Sequence, residues 1–345
     1  MMEGKVFKIL SIDGGGIKGL YSSTILEHLE EEYDCILSDY FDLLCGTSTG
    51  GLIALALSQK IRTPLISDIY KKNGHRIFPN RKWYLSWLQW IEEKYLGGKF
   101  MGGQVFWFGK YSSKNLKEIL EGVFKTTKIG DTNNLLCIPT YTITDSRPWV
   151  FKYDHPEGNL SRDNKALYVD VALATSAAPT YLPIHEIPYY DNKQFIDGGV
   201  WANNPTLVAV IEALRYFVGK DKEYDSIQIL SVSSLANPKG KPPGWRKNRS
   251  FAGWRGDLFD SSMNGQNKFT EYIMSSLSGI NDVPIEYVRI PSTSISHEQV
   301  NLIDMDSTSK RSIDLLTGKG NDVGTIYRKK EEIRRFFLHP KTYKI

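Results

Sequence analysis

Apolar positions along the chain fall into short dense runs separated by glycine-rich turns. Val6 to Ile12 and Phe41 to Cys45 read as strands buried on both faces, because their apolar content is almost continuous rather than alternating. Leu20 to Glu32 reads as a helix with Leu20, Ile25, Leu26 and Leu29 on one face, and Gly51 to Leu57 as a tightly packed helix. Further along, Leu135 to Thr144 and Trp149 to Tyr153 read as strands, and Ala166 to Thr175 as a helix. A strand ending at Phe195-Ile196 precedes a helix from Pro205 to about Val218. Asn204 caps that helix, Gly219 stops it, and Leu207, Val208, Ile211, Leu214 and Val218 form its apolar face. Ile227 to Ser233 is another buried strand. Beyond it, Leu258 to Leu277, Thr308 to Leu316 and Thr325 to Phe337 read as helices and Tyr287 to Ile290 as a short edge strand. Alternating strands and helices predict a layered α/β core around a mainly parallel sheet. Residues 1–235 carry that alternation, and residues 236–345 form a C-terminal extension packed on the same domain as a regulatory region.

The stretch from Arg62 to Tyr111 breaks the pattern. It holds four of the eight tryptophans, Trp83, Trp87, Trp90 and Trp107, beside Lys71, Lys72, Arg76, Arg81 and Lys82. Such a helical, aromatic-rich insertion suits either core packing or a lid at a lipid surface. The extension has a second basic stretch, with Arg246, Lys247 and Arg249 beside Trp245 and Trp254. That composition suits stacking on a base while gripping phosphate. With 41% hydrophobic and 24% charged residues, the 345-residue chain is globular. A net charge of +4 is too mild to argue for DNA or RNA, but it is compatible with an anionic lipid surface. Three widely spaced cysteines suit a reducing interior and offer no zinc spacing, so no metal is expected. Glu3, Lys5 and Lys8 interrupt any signal-peptide pattern, and no apolar run reaches the length of a membrane span.

Three motifs carry chemistry. Gly46-Thr47-Ser48-Thr49-Gly50 fits G-x-S-x-G, which presents a serine nucleophile on a strained strand-to-helix turn. Asp13-Gly14-Gly15-Gly16-Ile17-Lys18-Gly19 follows the first strand and opens a helix, exposing backbone N–H groups to an anion. The anion is either a phosphate or the oxyanion of an attacked ester. The run lacks the Lys-Ser/Thr ending of a P-loop, and the elbow favours the oxyanion. Asp197-Gly198-Gly199 sits between a strand and a helix, where open α/β sheets place their chemistry. Only His297 and His339 follow Asp197, neither in a strand-end context, so the histidine of a Ser-Asp-His triad is not evident.

These motifs, in this order, resemble the patatin-like phospholipases, and Ser176-Ala177-Ala178-Pro179 is similar to a further stretch those proteins carry. The resemblance covers residues 6–235. It implies a three-layer α/β/α fold and a catalytic Ser-Asp dyad, with Ser48 as nucleophile and Asp197 as base. Gly14, Gly15 and Gly16 map onto the oxyanion loop, joined by the Thr49 N–H, while Gly46, Gly50, Gly198 and Gly199 frame the motifs. Lys18 stands where the family commonly has Arg, keeping the charge without the bidentate geometry. No catalytic cofactor is implied.

The run Val169 to Tyr181, with Trp201-Ala202-Asn203-Asn204-Pro205 and the helix ending at Gly219, looks like the bacterial phospholipase effectors of cyclic-oligonucleotide anti-phage signalling (CBASS). That subgroup implies activation by a cyclic dinucleotide such as cGAMP and homo-oligomerisation on activation. It also implies a cytoplasmic enzyme attacking phospholipids at the inner face of the inner membrane. The stretch Trp245 to Arg249 is the candidate nucleotide site. The other readings are a constitutive patatin-like lipase and a non-catalytic phosphate-binding scaffold.

Overall fold

The computed structural model describes residues 4–79, 111–236, 240, 243–244, 251–277, 282–296 and 298–345. The four insertion tryptophans, His297, and the proposed nucleotide contacts Trp245, Arg246, Lys247 and Arg249 lie outside the described residues. Among the described residues, eight strands form one sheet: β1 (Val6–Ile12), β2 (Leu43–Gly46), β3 (Leu135–Thr142), β4 (Arg147–Lys152), β5 (His185–Ile187), β6 (Lys193–Asp197), β7 (Ser226–Val232) and β8 (Ile285–Ile290). The order is β5-β6-β3-β2-β1-β7-β8, with β4 also on β3. The run β3-β2-β1-β7-β8 is parallel, while β4, β5 and β6 add antiparallel pairs at one end.

The central strands β1, β2 and β3 are buried on both faces, which is why their sequences read as nearly continuous apolar runs. Phe7, Ile9, Leu43, Cys45, Ile227 and Ile229 point to one core, and Leu10, Ile12, Leu44, Leu136, Leu230 and Val232 to the other. The larger core is covered by α1 (Gly19–Glu32), α2 (Thr49–Ser58), α3 (Thr63–Ile77), α4 (Lys114–Phe124), α5 (Tyr168–Ser176) and α8 (Lys310–Tyr327). The smaller core is covered by α6 (Thr206–Tyr216) and the end of α7 (Phe251–Leu277) through Met274. Helices on both faces of a mainly parallel sheet make the three-layer α/β/α fold.

The segment after residue 235 is built into both layers. It supplies β8 at the sheet edge and α8 against α1. Gly320 and Gly324 of α8 are spaced one turn apart, and a Cβ at either would fall 2.7 Å from Thr24 or 2.5 Å from His28. The two helices therefore touch backbone to side chain. Buried Asp42 accepts the N–H of Lys8, Thr342 and Tyr343, fastening the last residues to β1. After α8 a short helix α9 (Glu331–Arg334) brings Phe336 into the larger core, where it is fully buried.

Two expectations are corrected here. The buried face of α6 is Thr206, Ala209, Val210 and Ala213, not the stripe through Ile211, which is 63% exposed. The helix is apolar nearly all round, so periodicity cannot choose its face. Small Ala209 and Ala213 turn to the sheet, and Glu212 turns inward to meet Lys152 and His155. The separate helices 308–316 and 325–337 are instead one helix to Tyr327 followed by a break, because Gly320 and Gly324 serve packing rather than termination. In the insertion, α3 is a core helix through Ile66, Tyr70 and Ile77.

Truncating Phe336→Ala should cost about 3–5 kcal/mol, as for a large buried aromatic. Ile211→Ser should change stability by about 0.5 kcal/mol or less. Urea unfolding of both variants measures the difference.

Candidate active site

Ser48 occupies the turn between β2 and α2 with φ 53° and ψ −124°, a conformation that a residue with a side chain adopts only under constraint. The turn closes because its flanks are glycines. A Cβ on Gly46 would lie 2.0 Å from the Gly50 carbonyl oxygen, and one on Gly50 would lie 2.2 Å from that of Ile12. Strand, elbow and helix thus pack at backbone contact. The Ser48 N–H donates to Thr175 Oγ1 at 3.0 Å, and the Thr175 hydroxyl donates to the Pro139 carbonyl at 2.6 Å.

Asp197 ends β6, which runs antiparallel to β3. β3 is eight residues long and β2 only four, so β3 continues past the end of β2. β4 occupies one edge of that continuation, at residues 137–142, and β6 occupies the other at residues 140–142. β2 and β6 therefore share one edge of β3 and point toward each other. Ser48 follows the tip of one and Asp197 stands at the tip of the other. The carboxylate of Asp197 accepts hydrogen bonds from the Ser48 side chain and, at 2.7 Å, from the Gly199 N–H. It is 2% exposed, and burial pushes its pKa up to about 7 against the opposing pull of those two donors. Among the described residues the partner of Ser48 is thus a carboxylate. The buried His155 faces Glu212 instead, and His185 faces Asp170.

The glycine loop after β1 lies against the elbow. The Gly14 N–H donates to the Asn203 carbonyl at 3.0 Å, so this amide is already engaged and the loop's available donors narrow to Gly15 and Gly16. Gly16 has φ 59°, and a Cβ there would fall 2.4 Å from the Met305 carbonyl oxygen. Among the described residues, the amides of Gly15, Gly16 and Thr49 donate to no protein acceptor. Lys18 closes the short turn after them and is buried. Cross-bonds lock the loops together: Thr49 Oγ1 donates to the Gly16 carbonyl, and Thr47 Oγ1 to that of Ala202.

Further residues support the site in roles that the sequence does not assign to them. Arg289 of β8 forms a bidentate pair with Asp13 at 2.9 and 2.6 Å, fixing the root of the glycine loop. Thr175 holds the Ser48 amide, and the Ala177 carbonyl accepts the Asp197 N–H at 3.0 Å. Asn203 joins the Asp197 loop to α7, its N–H bonded to Gln266 and its side chain to Asn267. An apolar cleft opens on Ser48, walled by Leu52, Ile77, Phe78, Leu116 and Leu182. Among the described residues no cluster of ligating side chains suited to a metal is present, and no helix is long and apolar enough to cross a membrane.

A serine elbow, a buried carboxylate and an amide-lined loop around an apolar cleft define a lipid acyl hydrolase of one particular architecture. Residues 10–210 match the patatin-like phospholipase family, and the chain belongs to it. It is similar to a cGAMP-activated phospholipase of Pseudomonas aeruginosa strain BWHPSA011, with 29% identity over 316 residues, covering 91% of this chain and 87% of that one. A cGAMP-activated phospholipase of Vibrio cholerae serotype O1 is 30% identical over 349 residues, covering 96% and 95%. Patatin-like protein 1 of Oryza sativa subsp. indica is 37% identical over 241 residues, covering 64% and 54%.

The raised pKa of Asp197 has a stability consequence with a definite sign. Between its ordinary value of 3.8 and about 7 the folded state holds a proton that the unfolded state has lost, so stability falls as pH rises through that window. Asp197→Asn removes the titration. Its stability relative to wild type should increase across the window and level off above it, by roughly 4 kcal/mol for a shift of this size. Chemical denaturation at several pH values tests this.

Proposed function

We propose that the chain is a serine phospholipase that hydrolyses acyl esters of membrane glycerophospholipids. The observation that carries this reading is a carboxylate, buried and shifted to about 7, bonded to a strained serine at an apolar cleft. An ordinary aspartate is too weak a base at neutral pH, but one at about 7 suits proton transfer. Ser48 Oγ attacks the ester carbonyl carbon while its proton passes to Asp197. The amides of Gly15, Gly16 and Thr49 hold the oxyanion. Collapse breaks the C–O bond, and the departing lysophospholipid alkoxide takes the proton back from Asp197. Water then attacks the acyl-serine, giving its proton to Asp197, and the fatty acid leaves as Ser48 is reprotonated. The cleft holds the acyl chain.

The same reading extends to control. Similarity to two bacterial phospholipases described as cGAMP-activated, across nearly their whole length, supports a cyclic dinucleotide activator. The basic stretch with Trp245, Arg246, Lys247 and Arg249 is our candidate for its site, and α7 begins immediately after it. Through Gln266 and Asn267, α7 reaches the Asp197 loop. Swinging a population from 1:99 to 99:1 requires about 5.5 kcal/mol of differential binding. A two-fold ligand suits a subunit interface, so activation goes with homo-oligomerisation. The biological setting is CBASS defence, with a cytoplasmic enzyme degrading the inner membrane from its inner face.

Ser48→Ala and Asp197→Asn should each lower turnover of phospholipid liposomes by about three orders of magnitude or more, as for residues acting as a unit. Near-normal turnover by folded Asp197→Asn protein refutes the dyad. For wild type, kcat/KM should rise with pH and reach half its plateau near 7, since the base form of Asp197 is required.

Fatty-acid release measured with and without cGAMP tests the gating. Neutralising Arg246, Lys247 and Arg249 together should abolish activation. Full wild-type activity without nucleotide leaves the constitutive lipase. Undiminished activation of the triple variant moves the nucleotide site elsewhere.

A further inference from the structure

The segment Thr175-Ser176-Ala177 runs between the two reacting side chains. Thr175 accepts the Ser48 N–H, and the Ala177 carbonyl accepts the Asp197 N–H. The residue between them lines the cleft that opens on Ser48. Ser176 is only 7% exposed, and its hydroxyl has no hydrogen-bond partner. Every other polar side chain of the described lining is engaged. Ser48 bonds to Asp197, Thr49 to the Gly16 carbonyl and Tyr70 to the Thr49 carbonyl, and Tyr181 also has a partner.

An unpaired buried hydroxyl is costly, and alanine would fill the same space without that cost. Elsewhere the cleft is walled by aliphatic and aromatic side chains that ask nothing of a ligand except apolar surface. We propose that Ser176 is a substrate-contacting residue whose hydroxyl donates a hydrogen bond to an oxygen of the scissile ester. The inference rests on the serine-phospholipase reading above. Ser176 ends α5 and is held on both sides through its neighbours' bonds to the elbow and to Asp197. The hydroxyl itself is buried in this structure, and the proposal requires it to turn to the cleft by rotation about Cα–Cβ. The ester then completes a set of donors in which the backbone amides hold the developing charge and Ser176 fixes the orientation of the group under attack.

The test is Ser176→Ala, assayed on phosphatidylglycerol liposomes and on p-nitrophenyl butyrate with cGAMP present, alongside thermal unfolding. The expected result is a loss of about tenfold in kcat/KM, the size of one donated hydrogen bond, with Tm unchanged or raised because an unpaired polar group has been removed. Unchanged kcat/KM on both substrates overturns the proposal. A loss of activity together with a Tm lowered by several degrees also overturns it, since that pattern marks a structural role. Ser48→Ala run in parallel separates the two levels. If wild type shows no Ser48-dependent hydrolysis, the phospholipase reading falls and this inference with it. If Ser48-dependent hydrolysis stands and Ser176→Ala is unaffected, only the role of Ser176 fails.

Discussion

Everything at this site depends on β3 being longer than β2. A strand has two edges, and β4 fills one of them along Cys137 to Thr142. β2 uses the other edge as far as Cys137, and β6 takes it up again at Thr140 from the opposite direction. The two strand tips therefore converge on one short stretch of β3. Ser48 and Asp197, 149 positions apart in sequence, meet because the sheet leaves them no other place. Were β6 parallel to β3, Asp197 would end up moving away from the elbow. The antiparallel end of an otherwise parallel sheet is thus what makes a two-residue site possible.

Backbone contact is what fixes the site's precision. Gly46, Gly50 and Gly198 each sit where a Cβ would fall within 2.3 Å of a carbonyl oxygen, of Gly50, Ile12 and Pro139 respectively. At such separations the relative positions of β1, β2, β3 and the two loops are set by hard atomic contact rather than by adjustable side chains. The strain in Ser48 persists because this scaffold over-determines it. The Asp13–Arg289 pair extends the same rigidity to the glycine loop, and it ties the edge strand β8, from the C-terminal third of the chain, to that loop.

These contacts explain what is legible in the sequence. Close backbone approach leaves glycine in fixed places, so the elbow, the glycine loop and the Asp197 turn all stand out as motifs. Strands buried on both faces leave continuous apolar runs, so the parallel sheet stands out as well. Direction and facing do not. Nothing in Lys193 to Asp197 says that the strand runs against its neighbour, and an all-apolar helix such as α6 does not declare which side meets the sheet. Nor is the service of Thr175, Asn203 and Arg289 legible. Each is an ordinary polar residue whose partner lies tens to hundreds of positions away. Gly14 departs from its expected place among the oxyanion donors for a related reason. A glycine loop shows where amides cluster, but not which of them another loop has already claimed.

A carboxylate that titrates near neutrality places an unusual demand on the fold. A histidine titrates near neutrality by its own chemistry, whereas Asp197 reaches about 7 only because water is kept away from it. Its basicity is therefore a property of the covering, not of the residue. The cover includes Gly198 against Pro139, and Met263 of α7, whose sulfur would stand 3.7 Å from a Cβ on Gly199. Gln266 of the same helix grips the backbone at Val200 and Asn203. A displacement of α7 that admits water lowers the pKa of the carboxyl from about 7 toward 3.8. The packing of α7 and the protonation of Asp197 are thereby linked through burial.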